Sequence, residues 1–242
     1  MDAYTRVATT EMKAWQVKMM RPPSFFDRFT SKMQVKVNNI IPEKIHIAIT
    51  AAIKQMIRVV LFGAGITTGK PRKDAPLEYR EGIVRERIRF YKHTAAAEGG
   101  VTGAGGILLG LADFPLLIGI KIKLLFEITS LYGYSVKDYR ERVFILLIFQ
   151  LAFSSQEKRS EVYLNVENWQ NYKESLPEDI NEFDWRTFQQ QYRDYIDLAK
   201  LAQLVPVIGA PVGAVVNYRL IRRLGDTAMN AYRLRWLQEG LV

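Results

Sequence analysis

The chain has 242 residues, of which 48% are apolar and 24% charged, and its mean hydropathy of -0.08 excludes a multi-span membrane protein. It contains no cysteine, which excludes disulfides, cysteine-based metal sites and thiol nucleophiles. The length fits one large domain, and the formal net charge of +9 favours a polyanionic partner, either an anionic lipid surface or nucleic acid.

An amphipathic helix is predicted at the N-terminus, over residues 3–20, ending before Pro22. A second short helix is predicted from Phe25. The first twenty residues carry Asp2, Glu11 and several lysines and contain no continuous apolar run, so they do not read as a secretory signal. A cytoplasmic location is therefore expected.

The next predicted helix covers residues 43–62 and follows Pro42, a residue that suits a first helical turn. Thr50, Lys54 and Arg58 recur at every fourth position and form a narrow polar stripe on an otherwise apolar helix. A wide apolar face beside a basic stripe is typical of helices that lie in a membrane interface. Lys54 and Arg58 are therefore candidate membrane-facing cations.

A loop is predicted over residues 63–76. The elements that follow it are predicted to be helical: a strongly basic helix over 77–97, helices over 116–132 and 136–153, a polar peripheral helix or helical hairpin over 154–177, a helix restarting near Asp184 and Trp185 that carries Tyr192, Tyr195 and Leu198 toward the core, and a closing basic helix over 221–237. No segment shows sustained strand alternation.

The predicted fold is therefore all-α, a single compact multi-helix domain with two glycine-rich, proline-punctuated central helices or helical hairpins. Residues 1–75 are predicted to form amphipathic helices packed on a main helical domain over residues 76–242.

Two segments rich in small residues lie within this pattern. The first runs from Glu98 to Pro115 and the second lies near the C-terminus; their paired glycines are Gly99 and Gly103, Gly106 and Gly110, and Gly209 and Gly213. Glycines four residues apart let two helix backbones approach closely. Because each glycine in a helix interior costs about 1 kcal/mol relative to alanine, so many glycines predict close helix packing.

Membrane contact is the alternative for these segments. A spanning helix needs about 20 apolar residues. Only fourteen uncharged residues separate Glu98 from Asp113, and the eighteen that separate Lys200 from Arg219 include two prolines. Shallow or reversible membrane association, or a kinked buried hairpin, is therefore favoured over a true span.

Asp113 is the most conspicuous ionisable residue of the first segment, because an unpaired charge is costly among apolar neighbours. It is predicted to cap a helix that begins near Pro115, with a buried pair to an arginine or a bound cation as alternatives. Glu98 and Glu127 are expected to pair with basic neighbours. Asn217, in the second segment, is a further candidate polar residue.

No motif for catalysis or cofactor binding is complete. The sequence GAGITTGK over residues 63–70 resembles a phosphate-binding loop, but Ala64 occupies a required glycine position and Pro71 replaces the required Ser or Thr. The two histidines, His46 and His93, lie on separate predicted helices without zinc-binding spacing, and there is no G-x-S-x-G turn. No catalytic residue, metal or cofactor is predicted.

The glycine segments and their surroundings resemble the EcsC protein family. The resemblance rests on AAAEGGVTGAGGILLGLADFP over residues 95–115, EITSLYGY over 127–134, ERVF over 141–144 and PVIGAPVGAVVNYRL over 206–220, with Ala228, Tyr232 and Arg235. These features extend over about residues 78–237. The resemblance implies a bacterial helical protein of undefined activity, whose namesake is encoded beside the subunits of an ABC-type transporter, and it supplies no catalytic residues.

Three hypotheses about function follow. The leading one is a non-enzymatic, lipid-associated protein at the inner face of the cell membrane, accessory to a transporter or envelope process. The alternatives are an enzyme or small-molecule binder with a polar pocket around Glu98 and Asp113, and a protein-interaction scaffold for a membrane transporter complex. Nucleic acid is a disfavoured partner, because the arginine-rich stretch over residues 80–92 comes without a recognised nucleic-acid-binding fold.

Overall fold

The computed structural model describes residues 2–22, 43–62, 69, 71, 75–104, 106–155, 157–196 and 210–241, with the backbone alone for residues 43–46, 99–104, 106–114, 193–195 and 210–213. The helices are α1 Ala3–Met20, α2 Glu43–Phe62, α3 Leu77–Ala104, α4 Gly106–Leu131, α5 Tyr139–Phe153, α6 Arg159–Glu167, α7 Trp169–Ser175, α8 Trp185–Tyr195 and α9 Ala210–Gln238, with a 3-10 turn over Ile180–Glu182. The prediction of an all-α fold is confirmed. The helix predicted from Phe25 lies outside the described residues.

Local sequence determines several helix ends. The Asp2 carboxylate accepts a hydrogen bond from the backbone nitrogen of Thr5 at 2.6 Å and caps α1, and Asp138 caps α5 in the same way by accepting from the nitrogen of Arg140 at 2.9 Å. Gly133 follows the end of α4 with a φ of 94°, a conformation that favours glycine.

Helices α3, α4 and α9 form the centre of the fold. The Arg80 guanidinium donates to the Leu131 carbonyl at 3.1 Å and the Tyr91 hydroxyl donates to Glu127 at 2.7 Å, so α3 and α4 form an antiparallel hairpin. Helix α9 packs most extensively on α3 and runs antiparallel to it. Three long helices are thereby joined along most of their lengths.

The backbone of α9 approaches α3 closely at Gly225. A Cβ atom placed there would lie 2.6 Å from both Cγ1 and Cδ1 of Ile88, well inside normal carbon contact distance. Gly225 lies outside both glycine segments selected from the sequence. A glycine at this position lets α9 lie against the Ile88 side chain.

The outer helices enclose a single apolar core. Helix α5 is buried along its whole length except at Arg140 and Arg142, which agrees with a sequence that from Val143 onward is apolar at every position but Gln150. Helix α1 packs on α9 and α6, and α2 packs on α4, α5 and α8. Met12 of α1 and Ile57 of α2 belong to the same core as the central helices. The predicted domain boundary at residue 75 stays a prediction.

The helix boundaries around the first glycine segment differ from those expected. Helix α3 continues to Ala104 and α4 starts at Gly106, so the segment forms the tip of the α3–α4 hairpin. The prediction that a helix begins near Pro115, capped by Asp113, is wrong, because Pro115 lies inside α4. Burial of Leu117 and the apolar residues that follow it offsets the local cost of the proline and the glycines.

The predicted packing glycines are distributed over three helices. Gly99 and Gly103 lie in the last turns of α3, Gly106 and Gly110 in the first turns of α4, and Gly213 near the start of α9. Gly209 lies outside the described residues. Close packing at these glycines stays a prediction.

Candidate functional site

The first cluster of polar side chains is centred on the buried Glu81 of α3. Arg233 of α9 binds both carboxylate oxygens, with Nε 2.7 Å from Oε1 and Nη2 2.6 Å from Oε2. The hydroxyls of Tyr4 and Tyr132 also donate to Glu81, and Arg233 Nη1 lies 2.8 Å from a Glu11 oxygen. This cluster connects α1, α3 and α9 with the residue that follows α4.

The partners of Glu81 favour the ionised form of its carboxylate. Burial alone would raise the pKa of Glu81, but the hydrogen bonds and positive charge of Arg233 outweigh it and hold the pKa below its ordinary value. A general acid or base works best with a pKa near the operating pH. The geometry therefore indicates a tie between helices and not a catalytic group.

A second buried pair joins α5 to α9. The Arg235 guanidinium binds Glu141 with Nη1 2.6 Å from Oε2 and Nη2 2.8 Å from Oε1, and its Nε donates to Glu239 at 2.7 Å. Its central carbon lies 3.7 Å from the ring centre of Tyr134. Arg235, a candidate from the family resemblance, is thus bound to Glu141, which belongs to another motif of that resemblance.

A cavity of about 630 Å³ opens beside these clusters, lined by Asp2, Thr5, Ala75, Pro76, Leu77, Arg80, Tyr132, Gly133, Tyr134, Trp236 and Leu241. Arg80 is the one cation among the described lining residues, and it donates to the carbonyls of Ala75 at 2.6 Å and Leu131 at 3.1 Å and stacks on the Trp236 ring. The guanidinium is therefore engaged by the protein itself, and the nearby Asp2 carboxylate disfavours an anionic ligand.

Lys121 and Asn217 form a buried polar pair between α4 and α9. The Lys121 amine donates to Asn217 Oδ1 at 3.2 Å and to the Leu117 carbonyl at 3.1 Å, and both side chains are fully buried. Burial lowers the pKa of Lys121 to about 7. The candidate Asn217 therefore accepts a hydrogen bond from a buried amine, which the sequence analysis did not select.

The three candidate acidic residues all lie on the α3–α4 hairpin. Glu127 accepts a hydrogen bond from the Tyr91 hydroxyl at 2.7 Å and lies 3.7 Å from Arg87 Nε. Glu98 is half-buried near the end of α3, and Asp113 lies inside α4 with side-chain surroundings outside the described part of the structure. The pocket predicted around Glu98 and Asp113 stays a prediction.

An apolar groove runs between α2 and α4, with a volume of about 460 Å³. We call it the α2–α4 groove, and its lining consists of Ala52, Gln55, Met56, Val59, Val60, Pro115, Ile118, Gly119, Ile122 and Lys123. Gln55 and Lys123 are the two polar side chains among these described residues. Residues 47–62 and 115–126, which include both walls, contain no acidic residue.

The outer face of α2 beside this groove combines apolar and cationic side chains. Ile47 is 61% exposed and Phe62 is 43% exposed, and the candidate cations Lys54 and Arg58 lie exposed between them. These four positions share one side of the helix because their spacing follows its period. On α4, Leu116 is also exposed beside the groove. We call these five residues the α2–α4 face.

Within the described ranges, no cluster of His, Asp or Glu side chains suits a metal ion. In the same ranges, no helix combines the length and the apolar character that crossing a bilayer requires.

The sequence analysis missed Glu81, Arg233 and Lys121. Each is an ordinary charged residue in a helical pattern, and Arg233 lies 152 positions from Glu81 in the chain. No local spacing links partners so far apart.

Comparison with known proteins identifies relatives over nearly the whole chain. The sequence pattern described as the EcsC protein family matches residues 6–237, and so extends beyond the range of about 78–237 that carries the resemblance in the motifs. Protein EcsC of Bacillus subtilis (strain 168) is 46% identical over 230 residues, which cover 95% of this chain and 94% of that protein. An uncharacterized protein of the same organism, YdbA, is 30% identical over 172 residues, which cover 70% of this chain and 62% of that protein. No solved structure matches the chain. The chain belongs to the EcsC protein family.

Proposed function

We propose that this protein is a non-enzymatic peripheral membrane protein that binds anionic lipid surfaces through the α2–α4 face. The proposal rests on one observation, the juxtaposition of exposed apolar side chains with Lys54 and Arg58 in a stretch of α2, residues 47–62, that contains no acidic residue. We place the protein at the inner face of the cell membrane, where anionic lipids would face these cations.

The physical case combines two weak attractions. Apolar side chains such as Ile47 and Phe62 gain free energy on leaving water, and cations near an anionic surface contribute about 1 kcal/mol each. Among the residues that the structure describes, neither Lys54 nor Arg58 forms an ion pair with a neighbour on α2 or α4. Both contributions act on one side of α2, which suits a helix lying in the interface.

Co-flotation with liposomes tests the proposal. Wild-type protein is expected to float with vesicles containing phosphatidylglycerol, more strongly at low than at moderate salt, and weakly with pure phosphatidylcholine. The double variant Lys54→Gln, Arg58→Gln should lose about 2 kcal/mol of binding free energy, roughly a thirtyfold rise in the dissociation constant.

The matched control is Arg89→Gln with Lys137→Gln. It removes the same net charge from exposed positions on α3 and in the α4–α5 connection, away from the α2–α4 groove. Equal losses in the two double variants would show a response to overall charge and contradict the assignment of this face. Absence of wild-type co-flotation at either salt concentration would contradict membrane binding itself.

The same experiment separates lipid binding from docking on a membrane protein complex, such as a transporter. Protein-free vesicles contain no protein partner, so co-flotation with them requires direct lipid contact. Recovery from native membranes that disappears after membrane proteins are stripped, without co-flotation with protein-free vesicles, would support the scaffold hypothesis instead.

A further inference from the structure

The α2–α4 groove has the chemistry of a site for a long apolar ligand. Its volume of about 460 Å³ lies within the range of small-molecule pockets. Met56, Val59, Ile118 and Ile122 provide walls that offer no hydrogen bond to a polar ligand. A ligand that fills the groove must therefore be mostly hydrocarbon.

The charge of the groove indicates which kind of headgroup such a ligand carries. Among the described lining residues Lys123 is the one ionisable side chain, and it stands at one end of the α4 wall, which begins at Pro115. Lys54 and Arg58 do not line the groove, but they add positive charge on the exposed side of α2. With no acidic residue on either wall, an anionic headgroup is favoured beside Lys123.

Gly119 keeps the groove open. A Cβ atom at this position would meet no atom within 4 Å, so helix packing does not require a glycine here. Glycine inside a helix is less favourable than alanine. Any larger side chain at position 119 would project into the space between α2 and α4, and its absence leaves that space free.

We propose that the α2–α4 groove binds one acyl chain of an anionic lipid, with the headgroup beside Lys123. The inference rests on the proposed membrane association, since the bilayer supplies the lipid. A protein helix is the competing occupant, but a groove of this volume with a cation at one end of its α4 wall fits a single chain with an anionic head better.

The test fills the groove without disturbing the core. Gly119→Phe places a ring in the open space, and Gly82→Phe on α3 is the matched control, because Gly82 is also exposed with no atom within 4 Å of a Cβ. Thermal melts of both variants establish that they fold. The probe is monomeric lauroyl-lysophosphatidylglycerol, and its binding is measured by titration calorimetry in the absence of vesicles.

Gly119→Phe is expected to weaken lysolipid binding at least tenfold while Gly82→Phe leaves it unchanged. Lys123→Gln should weaken binding of this anionic probe and leave that of lauroyl-lysophosphatidylcholine unchanged. Equal binding by wild type and Gly119→Phe would overturn the inference, as would no binding by wild type.

Vesicle co-flotation of the same proteins separates this inference from the proposed function. If wild type floats with anionic vesicles but does not bind the monomeric lysolipid, the acyl-chain site is wrong and membrane association stands. If wild type binds the lysolipid in a Gly119-dependent manner but does not float, the groove assignment stands and peripheral membrane association is wrong.

Discussion

Arginines of α9 and cations of α2 carry the same charge in opposite surroundings. Arg233 and Arg235 are buried, and each binds both oxygens of a buried glutamate on another helix. Lys54 and Arg58 are exposed beside exposed apolar side chains. One region uses charge between helices, and the other presents charge to the outside.

The difference separates a structural role from a binding role. A buried ion pair contributes little net stability, but removing one partner strands the other charge in a poorly solvated site. Such pairs fix which helices meet, and Arg suits them because its planar guanidinium binds a carboxylate with two parallel hydrogen bonds. Exposed cations beside apolar side chains do nothing comparable for the fold, so we look to them for contact with a partner.

The largest effect is expected from Arg233→Met. The substitution removes the buried cation that binds both oxygens of Glu81 and leaves only the more distant, half-exposed Arg85 at 3.4 Å. It should lower the free energy of unfolding by about 3–5 kcal/mol, measured by urea denaturation. Arg222→Met on the same helix is the control, because Arg222 is 69% exposed and its ion pair with Asp226 is also exposed. Its effect should stay within about 0.5 kcal/mol. Similar effects from both would remove the distinction between buried and exposed charge.

The next largest effect is expected from Gly225→Ala. The new methyl group would lie 2.6 Å from two carbon atoms of Ile88, and overpacking of this kind costs about 1–3 kcal/mol, less the gain in helix propensity. Gly82→Ala, where the Cβ meets open space, should instead be neutral or stabilising by up to about 1 kcal/mol. If Ile88→Ala fails to relieve the effect of Gly225→Ala in urea denaturation, the proposed clash is not its cause.

Local patterns predict most of the helices but not their pairing. The bounds of α1 and α2 agree with the predicted helices over residues 3–20 and 43–62, because prolines end α1 and precede α2. The continuity of α4 through Pro115 could not be predicted, because the burial that stabilises it is tertiary. Gly225 gives no signal either, since a lone helical glycine reveals nothing about the helix opposite.

Some residues of the candidate site were also predictable from local pattern, and others were not. Lys54 and Arg58 were predictable because period alone places them on one polar stripe, and they are exposed. The roles of Asn217 and Arg235 could not be predicted, because each depends on a partner that is distant in the sequence. Asn217 binds Lys121, and Arg235 binds Glu141. Whether a charged helical residue is buried depends on which helix covers it, and no local pattern records that.

A smaller effect, dependent on pH, is expected from Lys121→Met. Burial lowers the pKa of Lys121 from 10.5 to about 7, so between these values the folded chain binds fewer protons than the unfolded chain and the free energy of unfolding rises with pH. Below about pH 7 both states are protonated and the cost of the buried charge is fully present.

Methionine at position 121 should therefore stabilise the protein by about 1–2 kcal/mol near neutral pH and flatten this rise. Urea denaturation from about pH 7 to about pH 10 measures both quantities. Lys123→Met is the control, because Lys123 lies two residues further along the same helix and is half-exposed. It should keep the wild-type dependence of the free energy of unfolding on pH. An unchanged slope in Lys121→Met would mean that Lys121 titrates as an ordinary lysine.

The smallest effect on stability, with a clear effect on lipid binding, is expected from Ile47→Ser on the α2–α4 face. Ile47 is 61% exposed, so the free energy of unfolding should change by no more than about 0.5 kcal/mol. If this side chain enters the membrane interface, its loss should cost about 1.5 kcal/mol of binding, roughly a tenfold weaker association with anionic vesicles. Val17→Ser on α1, where the side chain is 71% exposed, provides the matched control and should bind as wild type. Equal binding by all three proteins in co-flotation would mean that the apolar side chains of α2 do not contact lipid and that its cations act alone.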